Sequence, residues 1–184
     1  MIKKIFIILL LLLTCVSCEK IDYTYDISYI DVDMSEYEGM NSTQHMFRAV
    51  TVQELFNCID NKSSGVFYLG RINCGCCQIC VKYLNQAATD LGVYVNYIDV
   101  YDERMPITTQ ELMDELKLYL FDILEVDEEG KRELQTPTVF SVINGEIVDH
   151  MICLDGNKFD EPPTKLQETI LVSKYKSLLK PFAK

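Results

Sequence analysis

"GVFYLGRINCGCCQIC", residues 65–80, carries an apolar stretch straight into four cysteines within seven positions. Residues 65–70 are continuously apolar and aromatic-rich, as expected of a strand buried on both faces. Beyond them Cys77, Cys80, Val81, Leu84, Ala88 and Leu91 recur at helical spacing. The cluster therefore falls where a strand feeds a helix. Unpaired backbone N–H groups and the positive end of the helix dipole stabilise an anion at such a junction.

The junction sorts the cysteines. Cys74 lies at the helix mouth, where a thiolate is favoured and a thiol becomes a nucleophile near neutral pH. Cys77, one turn in, is close enough to form a disulfide with it. Cys77 and Cys80 both lie inside the helix, and bridging them would strain the backbone. Cys80 reads as a small buried hydrophobe, and Cys76, between the pair, as a residue open to solvent. Cys58 and Cys153 are far apart in sequence, and a structural bond between them is left open.

Outward from the cluster, Thr51 and Glu54 form a capping box for a helix with Val52, Leu55, Phe56 and Ile59 on one face. "VYVNYIDV" (93–100) is a second strand. A helix over about 108–124 turns Leu112, Leu116, Leu120 and Ile123 inward, and the charged stretch 125–135 reads as a loop. "PTVFSVINGEIVDHMI" (137–152) is a hairpin turning at Asn144-Gly145. A last helix over about 163–180 has Leu166, Ile170, Tyr175, Leu178 and Leu179 as its apolar positions. Strand, helix, strand, helix, hairpin, helix is the order of an α/β sandwich, with one mixed sheet between helices on both faces.

At the N-terminus, Lys3 and Lys4 precede an apolar run, Ile5 to Leu13, that ends at Thr14-Cys15-Val16-Ser17-Cys18. This resembles a bacterial lipoprotein signal over residues 1–17, with Cys18 as the lipidated residue and Cys15 as the competing site. Its removal leaves 15 basic against 28 acidic residues. Without a concentrated basic face, nucleic acid is not an expected partner. Residues 18–50 read as an acidic, Tyr-rich tether, within which "IDYTYDISY" (21–29) alternates as an added strand would. The main domain is drawn over 51–184.

Thr136-Pro137-Thr138 stands directly before a strand, where a cis X–Pro bond would set backbone beside the dithiol. Taken together, residues 51–180 resemble the thioredoxin superfamily, a thioredoxin-like three-layer sandwich. "FYLGRINCGCC" with "TPTVFSVINGEIV" looks most like its bacteriocin-transport accessory branch, whose members carry Gly-Arg before Cys-x-x-Cys. The resemblance implies that Cys74 attacks, Cys77 resolves, and Thr136 and Pro137 flank the substrate. Two departures stand out: Asn73 occupies the place of the usual Trp, and a gapless alignment sets Tyr68 where thioredoxin keeps a buried acid.

The expectation is a thiol–disulfide oxidoreductase of the cell envelope, lipid-anchored to the membrane. It needs no cofactor and acts on protein dithiols or disulfides with a separate redox partner. Two other readings stand beside it: a non-catalytic accessory protein for export or assembly, and a Zn²⁺ or Cu(I) site built from the cysteine cluster. The second is harder to build from one helical turn, and His45 and His150 are remote from the cluster.

Overall fold

Strand β2 (Gly65–Gly70) is buried along its whole length and organises the molecule. Successive residues point to opposite faces of a strand, so Val66 and Tyr68 enter one core while Phe67 and Leu69 enter the other. The computed structural model describes residues 27–100, 110–152 and 162–183. The signal segment with Cys15 and Cys18, and also Cys153, lie outside the described residues, as does most of the stretch 21–29.

In chain order the remaining elements are β1 (Phe47–Ala49), α1 (Val52–Asp60), α2 (Gly75–Leu91), β3 (Val95–Asp99) and α3 (Gln110–Tyr119). After them come a 3-10 turn (Phe121–Ile123), β4 (Glu125–Val126), β5 (Arg132–Glu133), β6 (Thr138–Ile143), β7 (Glu146–Ile152) and α4 (Lys165–Leu179). The main sheet has strand order β1-β3-β2-β6-β7. β3 runs parallel to both β1 and β2, whereas β6 is antiparallel to β2 and to β7. Helices α2 and α4 pack on the face that takes Tyr68, and α1 and α3 on the face that takes Phe67. This is the thioredoxin-like sandwich.

Thr51 caps α1, its hydroxyl accepting from Glu54 N–H at 3.2 Å, while the Glu54 carboxylate accepts from Ser28 N–H. The hairpin turns at Asn144-Gly145, both with positive φ (53° and 82°), the geometry that favours this dipeptide. Gly145 N–H donates to Ser63 O at 2.8 Å, and a Cβ here would collide with the carbonyl of Ile59. Among the described residues no helix is long and apolar enough to cross a membrane.

Three expectations change. The stretch read as a tether supplies a strand at Phe47–Ala49, and Ile30 bridges to Ala49 on its outer edge. Met34 and Tyr37 from the same stretch are fully buried. The segment 125–135 is not all loop, because β4 and β5 pair there around a turn at Asp127 to Lys131. Finally, the apolar stripe of α4 changes in its first turns: Tyr175, Leu178 and Leu179 are buried as expected and are joined by Leu171, whereas Leu166 is 70% exposed and Ile170 39% exposed. A helix rotates about 100° per residue, which turns positions 166 and 170 away from the contact face.

Candidate active site

β2 ends at Gly70, and residues 71–73 turn the chain into α2. Cys74 is the N-cap, extended at φ −107°, ψ 116°, with its sulfur accepting from Cys77 N–H at 3.3 Å. This hydrogen bond is the one a capping oxygen ordinarily makes; here sulfur makes it. Cys74 O in turn accepts from Gln78 N–H at 3.0 Å and starts the helical ladder. Cys74 keeps 9% of its surface and Cys77 none.

The two thiols are driven in opposite directions. Cys74 is brought down to about 5, chiefly because the Cys77 thiol donates to its thiolate. Cys77 N–H, the Thr136 side chain and the charge of Arg71 act in the same direction, against a burial effect that opposes ionisation. Cys77 is pushed far above the ordinary thiol range, first because its proton is held by Cys74 and then because it is buried. One sulfur is therefore poised as a nucleophile and the other retains its proton.

Thr136-Pro137 has a cis peptide bond, and the Thr136 carbonyl lies 3.4 Å from Cys74 Sγ. The structure thus brings Cys74, Cys77, Thr136 and Pro137 together at the C-terminal end of β2 and the start of β6. Gln78 fastens the N-terminal segment beside them: its amide donates to Ile72 O at 2.8 Å and its carbonyl accepts from Glu38 N–H at 2.8 Å. Cys80 is buried in the core beneath α2 and Cys76 is half-buried. Cys58 lies in the opposite core, where burial raises its thiol to about 11. His150 is exposed, and half-buried His45 lies 3.0 Å from the Val32 carbonyl through Nε2. Among the described residues no group of three or more His, Cys, Asp and Glu is placed to hold a metal ion.

Sequence reading attached no chemistry to Arg71, although a lone cation three residues ahead of a helix-capping thiol is a usable signal. It also missed a buried polar cluster behind Cys77. Tyr37 and Tyr97 hydroxyls lie 2.9 Å apart, and Tyr97 donates to Asp99 Oδ2 at 2.8 Å. Tyr68 stacks on Tyr97 with ring centroids 5.4 Å apart.

No protein-family model matches the sequence, and no curated protein matches it. Solved structures do. Oxidised thioredoxin O2 from Arabidopsis thaliana is 15% identical, over 77% of this chain and 98% of its own, at TM-score 0.43. Thioredoxin from Trypanosoma brucei brucei is 14% identical, over 77% and 99%, at TM-score 0.43. Oxidised mitochondrial thioredoxin 3 from Saccharomyces cerevisiae is 16% identical, over 71% and 93%, at TM-score 0.41. The fold itself stands on strand order, strand direction and the helices on each face.

Proposed function

We propose that the protein is an exported, membrane-tethered thiol–disulfide oxidoreductase in which Cys74 attacks and Cys77 resolves. One observation carries this reading: a sulfur caps α2, 3.3 Å from the Cys77 N–H, with a second thiol one turn away as its strongest donor. The Cys74 thiolate attacks a substrate disulfide and forms a mixed disulfide while one substrate thiolate leaves. Cys77 then attacks Cys74 Sγ, closing the Cys74–Cys77 bond and releasing the second thiolate. The same steps in reverse oxidise a substrate dithiol. Stabilising the Cys74 thiolate stabilises the reduced pair, which biases the couple toward oxidising substrates. Thr136 and Pro137 offer backbone to an extended substrate peptide, and a separate redox partner recycles the pair. The lipoprotein-like signal supports anchoring through Cys18 in the cell envelope, in the manner of the bacteriocin-transport accessory proteins.

The test is trapping. Cys77→Ser protein mixed with a disulfide-bonded peptide should accumulate a mixed disulfide located at Cys74 by mass spectrometry, and Cys74→Ser should accumulate none. Failure of Cys77→Ser to trap substrate, or trapping at Cys76 instead, would overturn the assignment. Mass analysis of the mature N-terminus tests the lipid on Cys18 separately.

A further inference from the structure

The segment ahead of β1 is anchored in the core beside the dithiol, and one side chain joins the two. Met34 and Tyr37 are buried. Tyr37 N–H donates to Met34 O at 3.0 Å and Met40 N–H to Tyr37 O at 3.1 Å, which folds the segment into two tight turns. The Tyr37 hydroxyl lies 2.9 Å from that of Tyr97 and fixes the segment to β3. It then passes along α2, where a Cβ on Gly39 would lie 3.4 Å from Lys82 Cδ.

Gln78, half-buried on α2 directly after Cys77, makes the junction. Its side-chain carbonyl accepts from Glu38 N–H at 2.8 Å. Its amide nitrogen donates to Ile72 O at 2.8 Å and to Glu36 O at 3.3 Å. One main-chain donor and two main-chain acceptors dictate which end of the amide is which. Gln78 N–H also donates to Cys74 O at 3.0 Å, while Cys74 N–H donates to Arg71 O at 3.3 Å. Gln78 therefore grips the turn before α2 on both sides of Asn73, by main chain at Cys74 and by side chain at Ile72, with residues 36–38 behind it.

This hold matters most when substrate is attached. In the reduced protein the Cys74 sulfur is itself a fastening, accepting from Cys77 N–H at 3.3 Å. In a mixed disulfide the same sulfur is neutral and a weak acceptor, so that fastening fades while a substrate chain pulls on the residue. Cys77 is fixed within α2 and closes a disulfide over a narrow range of distances. Cys74 must then be kept in place through its backbone.

We propose that Gln78 is a positioning residue for resolution: its side chain braces the 71–73 turn against residues 36–38 and holds Cys74 Sγ within reach of Cys77. The inference rests on the oxidoreductase reading above. In the step it serves, the Cys77 thiolate attacks Cys74 Sγ, the Cys74–substrate bond breaks, the substrate sulfur leaves as a thiolate, and the Cys77 proton ends in solvent. The disulfide is only transferred, so no external oxidant is required.

The experiment follows resolution in the full chain carrying Cys76→Ser. One equivalent of a chromogenic aromatic disulfide is mixed with reduced protein; the first thiolate released reports Cys74 attack, the second Cys77 resolution. Gln78→Ala removes the brace and leaves a good helix former. Gln78→Glu keeps the acceptor for Glu38 N–H but loses both donations. Each should slow the second phase by about tenfold, part of the roughly 100-fold that a 1 Å misplacement costs, and leave the first phase within about twofold. The mixed disulfide should accumulate at Cys74 by mass spectrometry, and the alkylation midpoint of Cys74 should stay at the parent value because the Cys77 N–H still caps its sulfur. A general loosening of the fold would instead slow both phases and move the midpoint; that result, or a second phase at the parent rate in either variant, would overturn the brace. If the parent protein itself releases no second thiolate, the oxidoreductase reading fails instead.

Discussion

Replacing Cys77 by alanine tests the electrostatics of the pair most directly. In the reduced protein the Cys77 thiol is the leading donor to the Cys74 thiolate, and Cys74 ionises at about 5. A hydrogen bond to a charged group contributes about 1.5–3 kcal/mol, and one pKa unit corresponds to about 1.4 kcal/mol. Cys77→Ala should therefore raise the Cys74 midpoint by about one to two units, to about 6–7, still below the ordinary value of about 8.5. The remaining depression comes from the residue 77 N–H at 3.3 Å, Thr136 and Arg71, none of which the substitution removes. Cys77→Ser keeps an O–H donor in nearly the same place, so its midpoint should stay close to the parent's. The measurement is the pH dependence of alkylation at Cys74, located by mass spectrometry and checked against ultraviolet thiolate absorbance. Identical midpoints for the alanine and serine variants would refute the reasoning, as would a parent protein that titrates like free cysteine.

The same ionisation makes stability depend on pH. Cys74 is lowered from 9.0 to about 5 on folding, so between those values the unfolded chain holds a proton that the folded chain has released. Stability of the reduced protein should therefore rise with pH across this window, by up to about 1.4 kcal/mol per unit, and the contribution should vanish as pH falls through 5. Urea midpoints of the parent and Cys74→Ser at several pH values check this, and parallel curves would contradict it. Gly145→Ala forces a side chain onto a residue at φ 82° and against the Ile59 carbonyl; it should destabilise by about 1–3 kcal/mol or more in the same assay. Leu171→Ala should remove about 2–5 kcal/mol from the α2–α4 contact, whereas Leu166→Ala on the exposed face should stay within about 0.5 kcal/mol.

Much of the architecture is written in local signals. Alternate burial of Val66, Phe67, Tyr68 and Leu69, the Thr51 cap, and Asn144-Gly145 each depend on a few neighbouring residues, and a linear reading recovers them. β1 is hidden because three residues carry almost no periodicity, and its middle side chain, Arg48, stacks on Tyr29 and Tyr94 instead of entering a core. Only the first turns of α4 are misread, because Leu166, Ile170 and Leu171 are all apolar there and only packing against α2 chooses among them. At the site, Cys74 and Cys77 lie within one turn and are legible together. Tyr37, Tyr68, Tyr97 and Asp99 come from three separate segments, and no spacing rule joins them.

That hidden cluster bears on how the fold divides stability from chemistry. A phenol hydroxyl in a core costs free energy unless it is hydrogen-bonded. Phenylalanine at 37, 68 and 97 would keep the ring contacts while removing that requirement, so packing alone does not explain three tyrosines and an aspartate there. Tyr37, Tyr97 and Asp99 satisfy one another, whereas the buried Tyr68 hydroxyl has no hydrogen-bond partner among the described residues. Departures from the most stable core tend to mark working sites. The sequence also places a residue without a side chain, Gly70, where the Tyr68 hydroxyl needs room, directly across from Asp99. Two sulfurs one turn apart thus meet different surroundings, with dipoles and donors at the helix mouth and a fully buried position one turn further in. That difference lowers the pKa of the thiol at the helix mouth and raises that of the buried one.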